Sequence, residues 1–194
     1  MKKIITQGIK DSAFIRGEVP MTKEEVRIIS ISKLELTEDS ILYDVGSGTG
    51  SIAVEAALLS PSVKVYAIET NPAAVELIKS NREKFGAYNI EVTEGLAPEA
   101  FEKLPAPTHA FIGGTKGNLK SILESLLEKN PKMRVVMNAV SLESISEMTD
   151  AIKSFNIDND EVIQVSVSRA SKIGSYHMMQ ANNPVFIFSF NFAG

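Results

Sequence analysis

The sequence predicts an α/β fold, doubly wound around a mostly parallel seven-stranded sheet that closes with an antiparallel C-terminal strand. Three observations predict it: short apolar runs alternate with helical patterns, a glycine-rich turn joins the first run to its helix, and the last two runs follow one another with no helix between them. The length of 194 residues, without an internal repeat or a Pro/Gly/Ser linker, predicts one domain over 1–194. Within it, residues 1–36 form an N-terminal segment and helix expected to cover the ligand cleft.

The elements follow in order. Thr22-Lys23-Glu24-Glu25 reads as a capping box opening a helix to about Leu34, with Val26, Ile29 and Lys33 along one stripe. The runs 41–45, 63–68, 89–92, 109–112 and 134–137 are β-branched or aromatic and read as strands. Between them, 50–60 carries Ile52, Ala53, Ala56, Ala57 and Leu59 at helical spacing. Asn71-Pro72 is an N-cap with proline at the first helical position, and Gly86 follows the last turn. Stretches 118–129 and 142–155 repeat the helical period. Strand alternating with helix implies right-handed crossovers and helices on both sheet faces. The final runs, 161–167 and 185–192, are expected to pair antiparallel, the second with Phe186, Phe188, Phe190 and Phe192 on one face.

Composition narrows the function classes. The 44% hydrophobic and 23% charged content fits a folded water-soluble chain, and no run of about 18 apolar residues is present. The basic start at Met1 lacks an apolar stretch behind it, so the expected location is the cytoplasm. Cysteine is absent and there are two histidines, so no protein-bound metal is expected. The net charge is -4, which argues against a nucleic-acid partner. That sum hides a pattern: residues 1–30 carry six basic and four acidic groups, 31–161 carry 12 and 20, and 162–194 carry two and none. An acidic scaffold with mildly basic ends suits a small polyanion better than a long one.

The chemistry concentrates at Asp44-Val45-Gly46-Ser47-Gly48-Thr49-Gly50, after the first strand. Three glycines permit a sharp turn and close approach of a ligand, at the strand ends where open α/β sheets bind ligands. A P-loop lysine is missing, because Ser51-Ile52 follow Gly50, and the third dinucleotide glycine is replaced by Ser51. The spacing fits a ligand without a pyrophosphate. Glu69 ends the second strand, 19 residues past Gly50, where a carboxylate can accept from both hydroxyls of a ribose. Glu94-Gly95-Leu96-Ala97 ends the third and would wall the base.

On these residues the chain resembles the class I S-adenosylmethionine-dependent methyltransferases over about 39–194. The opening Gly8 to Arg27, the loop Asp44 to Gly50, Phe111-Ile112-Gly113-Gly114, Asn138-Ala139-Val140 with Leu142-Glu143, and Asn183-Pro184-Val185 further resemble the cobalamin-pathway precorrin methyltransferases that also decarboxylate. The length leaves no room for the second module of the fused members, so the stand-alone, cobalt-first type is expected.

The resemblance implies methylation at carbon 15 of cobalt-precorrin-6B, with loss of carbon dioxide from the ring C acetate. It implies S-adenosylmethionine contacts at Thr22, Gly46, Ser47, Gly48, Thr49, Gly50, Glu69 and Ala97, and a homotetramer. Arg16, Lys23, Lys116, Arg169, Lys172 and His177 are candidate partners for the carboxylates of the tetrapyrrole substrate. No catalytic acid or base is assigned. Two departures stand out: Thr115, Lys116 and Asn118 interrupt a glycine-rich stretch, and Leu96 replaces an acid after Gly95. The other readings are an S-adenosylmethionine enzyme acting on RNA or protein, a nicotinamide oxidoreductase, and a non-catalytic nucleoside-binding module. The Asn/Asp-Pro-Pro-aromatic clamp for a flipped base or amino group is absent, which counts against the first.

Overall fold

The computed structural model describes residues 7–194. Residues 1–6, which begin the expected covering segment and carry the basic N-terminal start, lie outside it. The sheet strands are β1 (Ile41–Val45), β2 (Lys64–Glu69), β3 (Ile90–Glu94), β4 (His109–Ile112), β5 (Arg134–Ala139), β6 (Ile157–Val165) and, after a separate hairpin of β7 (Ser168–Ile173) and β8 (Tyr176–Ala181), β9 (Val185–Phe192). The helices are α1 (Glu24–Leu34), α2 (Ser51–Ala57), α3 (Pro72–Phe85), α4 (Leu119–Lys129) and α5 (Leu142–Ser154).

The seven-stranded sheet runs β3-β2-β1-β4-β5-β9-β6. Strands β1 to β5 pair in parallel, and β9 inserts antiparallel between β5 and β6. The fold class is therefore the one expected, with its antiparallel strand placed inside the β6 edge.

Alternation along each strand divides the core in two. Leu42, Val65, Ala67, Phe111, Val136 and Ile187 pack toward α1, α2 and α3. Tyr43, Ile68, Ala110, Ile112, Met137, Phe188 and Phe190 pack toward α4 and α5. Each strand interior thus serves two helical layers, which is why it reads as continuously apolar. The phenylalanines of β9 share the α5 side: Phe192 meets Phe190 at 5.5 Å and Phe155 at 5.9 Å between ring centroids.

Local signals set several helix ends. The Asn71 side chain accepts from the Ala73 N–H at 3.0 Å, Ser141 accepts from Ser144 N–H at 3.1 Å, and Gly86 ends α3 in the left-handed region.

Three expectations need correction. Lys23, not Thr22, occupies the N-cap of α1, and no side chain of its own caps it. The Asp11 carboxylate caps instead, accepting from the Glu24 N–H at 3.0 Å from 13 residues away. Lys33 is not on the core stripe; it pairs with Glu161, while Arg27, Ser30, Ile31 and Leu34 are buried. Finally, β6 begins at Ile157, ahead of the expected 161, and β7 and β8 were not expected as strands. No helix among the described residues is long and apolar enough to cross a membrane.

Candidate functional site

The carboxyl ends of the strands open into one cavity of about 680 Å³, within the range of small-molecule sites. The sheet order divides it. The tips of β3, β2 and β1 supply Gly95 to Ala97, Glu69 and Gly46 to Gly48; those of β4 and β5 and the start of β9 supply Gly113 to Lys116, Asn138, Val140, Asn183 and Val185. Val19 to Lys23 of the N-terminal segment close one side.

Short bonds shape the glycine turn. The N–H groups of Gly46 and Ser47 both donate to the Ile68 carbonyl, at 3.0 and 3.2 Å, pulling the β1 turn against the end of β2. Gly46 has φ +71°, and a Cβ there would stand 2.8 Å from the backbone of Gly114. Gly48 has φ +59°, and its Cβ would stand 3.0 Å from the Pro20 carbonyl oxygen. A side chain at either position would fill the close approach between the two halves, or between turn and covering segment.

Glu69 is already organised. Its Oε2 accepts from Gly48 N–H at 2.9 Å, and its Oε1 accepts from Thr70 and Asn71 N–H at 2.7 and 2.9 Å. A carboxylate has about four acceptor positions, so Oε2 has capacity for a ligand hydroxyl and Oε1 has less. Beneath the turn, buried Asp44 accepts from Ser47 Oγ–H at 2.6 Å and Ala53 N–H at 3.2 Å on Oδ2, while Oδ1 has no partner. Burial pushes its carboxyl up to about 7, with Glu69 adding to the rise and the two hydrogen bonds opposing it.

That shift predicts a pH signature. Between about pH 4 and 7 folded Asp44 keeps a proton that the unfolded chain has lost, so its contribution to stability falls as pH rises through that window. Half-buried His109, at the far end of β4, acts oppositely. Burial, with Arg134 nearby, lowers it to about 4, so the unfolded chain binds more protons below 6.5 and stability rises with pH from about 4 to 6.5. Asp44→Asn keeps an oxygen for Ser47 and Ala53 and is expected to unmask the His109 rise. Melting temperature should then climb more steeply with pH over that range than in the parent, and superimposable profiles would contradict this.

Of the residues read from the sequence, Thr22, Gly46, Ser47, Gly48, Glu69, Ala97, Lys23 and Lys116 line the cavity. Thr49 and Gly50 are buried under the turn. The other four cations are not brought to it. Arg16 is exposed on the N-terminal segment. Arg169 forms a two-pronged pair with Glu25, at 2.6 and 2.8 Å. Lys172 and His177 face each other across the exposed β7–β8 hairpin. Arg169, Lys172 and His177 are expected in a loop between the last two strands; a hairpin forms there instead and keeps them off the cavity lining. Lys23, Glu69 and Lys116 are thus the charged side chains of the lining.

Sequence reading missed the residues that hold the covering segment. Arg27, fully buried, donates through Nε to Glu55 at 2.5 Å and through Nη1 to Asp11 and the Thr22 carbonyl at 3.2 and 2.6 Å, and it also bonds the Ile9 carbonyl. Asn81 binds both backbone groups of Ile15 and the Thr49 carbonyl. Both are polar residues on the buried faces of their helices, and a buried polar side chain leaves no periodic signal.

The strand order, the glycine turn and the strand-end acid define the class I methyltransferase fold. The chain belongs to the precorrin methyltransferase family, whose domain model matches residues 13–191. A relative from Pyrobaculum calidifontis, named probable cobalt-precorrin-6B C(15)-methyltransferase (decarboxylating), is 42% identical over 185 residues, covering 94% of each chain. The cobalt-precorrin-6B C(15)-methyltransferase (decarboxylating) of Salmonella typhimurium is 40% identical over 182 residues, 92% of this chain and 93% of that one. Among solved structures, precorrin-6Y C5,15-methyltransferase from Geobacter metallireducens is similar with a TM-score of 0.89 at 33% identity, covering 95% of this chain and 98% of the other.

Proposed function

We propose that this chain is an S-adenosylmethionine-dependent C-methyltransferase of the cobalt-first cobalamin route, methylating carbon 15 of cobalt-precorrin-6B and releasing the ring C acetate carboxyl to give cobalt-precorrin-7. The observation that carries it is the continuity of one cavity from Glu69 and Gly48 to Gly113 and Gly114, in a chain whose relatives bear that name.

The cofactor half fits the methyl donor by its donor set. Glu69 offers Oε2 to a ribose hydroxyl, the bare Gly46 to Gly48 backbone offers close approach, and Ala97 and Leu96 offer an apolar wall for a base. Bound there, S-adenosylmethionine supplies an electrophilic methyl group. The residues of the chain orient and enclose: Gly46 against Gly114 sets how near the two halves stand, and Val19 to Met21 exclude water. Displacement at a sulfonium needs no strong base, and the conjugated macrocycle takes up the electrons of decarboxylation. Lys23 and Lys116 are read as partners for substrate carboxylates.

A small polyanion held by two lysines agrees with an overall charge of -4; a nucleic acid does not. The protein is read as cytoplasmic and as a homotetramer. Ile173, Tyr176, Met178 and Met179, all exposed on the β7–β8 hairpin, support self-association.

Purified protein with S-adenosylmethionine is expected to convert cobalt-precorrin-6B to a product heavier by one methyl and lighter by one carbon dioxide in mass spectrometry. Light scattering of the same sample should give about four chain masses. Unchanged substrate would reject the activity, and a monomer mass would reject the assembly.

A further inference from the structure

The acceptor half of the cavity is poor in charge and rich in amides. Lys116 lies in the turn after β4, and Asn182 and Asn183 lie in the loop before β9. Asn138 differs from these, because it projects from within β5 itself.

Its orientation is fixed from outside the cavity. Asn138 Nδ2 donates to Ser30 Oγ at 3.0 Å, and Ser30, fully buried on α1, donates to the Val26 carbonyl at 2.8 Å. The Ser30 hydroxyl also lies 3.2 Å from Asn138 Oδ1, but it has one proton and would have to abandon Val26 to use it. With that proton committed, the serine oxygen accepts, and the amide must turn its NH₂ group to α1. One N–H of Asn138 remains to donate to a ligand, while its carbonyl oxygen stays beside the Ser30 hydroxyl.

Position assigns the ligand group. Methyl transfer must occur where the cofactor half meets the acceptor half, at Gly46 of the β1 turn against Gly114 after β4. Adjacent strands stand about 4.8 Å apart, so the β5 tip lies one strand beyond that junction, on the side away from the cofactor. A macrocycle presenting its meso carbon at the junction places a neighbouring ring substituent at β5. Chemistry agrees. A carboxylate that is about to lose carbon dioxide gives up its charge to the ring, and a lysine partner would stabilise the charged starting state most strongly. A neutral amide orients the carboxylate with a weaker hold.

We propose that Asn138, oriented by Ser30, holds the acetate carboxylate that is lost, and that Lys23 and Lys116 serve carboxylates that stay. The inference rests on the function proposed above. In the step concerned, the bond from the methylene to the carboxyl carbon breaks, carbon dioxide departs, its electron pair enters the macrocycle, and a proton from water leaves a methyl group in place of the acetate.

The test compares parent, Asn138→Asp and Ser30→Ala with saturating cobalt-precorrin-6B. It reads carbon dioxide release, product mass and S-adenosylmethionine affinity by calorimetry. Asn138→Asp puts a like charge beside the acetate and is expected to slow carbon dioxide release at least about tenfold, with cofactor affinity within twofold of the parent. Ser30→Ala frees the amide and should give a smaller loss in the same direction. Release at the parental rate in Asn138→Asp overturns the inference, as does a loss matched by an equal loss of cofactor affinity, which marks a purely structural role. A parent inactive toward this substrate means instead that the proposed function has failed.

Discussion

Replacing Glu69 by alanine is expected to weaken S-adenosylmethionine binding by about 1.5–3 kcal/mol, roughly ten- to 150-fold, the range for a hydrogen bond to a charged group. Two losses combine. The ribose partner disappears, and Gly48 loses the acceptor that holds its N–H at 2.9 Å, so the turn that must lie against the ligand is released. Glu69→Gln separates them. Its amide oxygen still accepts one backbone N–H while the charge is gone, so its affinity should fall between parent and alanine variant. Calorimetric titration reads both, and an alanine variant that binds like the parent would remove Glu69 from the site.

The second large effect lies out of the cavity. Arg27→Met leaves Glu55, itself buried, without its countercharge, and uncompensated buried charges of this kind cost about 3–5 kcal/mol. At about 2–4 °C per kcal/mol for a chain of this size, melting should fall by roughly 6–20 °C. The double variant Arg27→Met, Glu55→Gln should recover part of that, because a neutral amide is cheaper to bury than a lone carboxylate. Cofactor affinity should fall in both variants, since Arg27 also holds the Thr22 carbonyl and, through Asp11, the start of α1. A melting temperature within about 2 °C of the parent in Arg27→Met would contradict this.

These two residues mark where sequence was informative. The position of Glu69 was readable because it is set locally: a strand, a turn of three glycines and an acid one crossover later are fixed by backbone geometry over few residues. Arg27 was not, because its partners come from residues 9, 11, 22 and 55, and nothing in a helix's own period announces them. The same division explains the elements. Asn71-Pro72 and Gly86 delimit α3 as read, because caps are local. Thr22 failed as a cap because a carboxylate at position 11 reached the Glu24 N–H first. The start of β6 was hidden by Asp158-Asn159-Asp160, which reads as a turn. There Asn159 takes φ +48° and the pairing with β9 shifts register, so a bulge interrupts a strand that continues. The β7–β8 hairpin was missed because it buries no face: with both sides exposed, its sequence lacks the alternation by which a strand is recognised. Four of the candidate cations lie away from the cavity for a related reason. Strand-end loops of an open sheet are positioned by the whole fold, and only Lys23 and Lys116, next to the covering segment and the β4 turn, reached the cavity from among the cations proposed.

The most direct measurement uses S-adenosylmethionine carrying a ¹³C-labelled methyl group with cobalt-precorrin-6B, following the label by NMR and the released carbon dioxide in the same reaction. One labelled methyl at carbon 15 for each carbon dioxide released is the predicted result. Label at another atom, or methyl transfer and carbon dioxide release that do not occur in equal amounts, would contradict a single cavity performing both steps on one substrate.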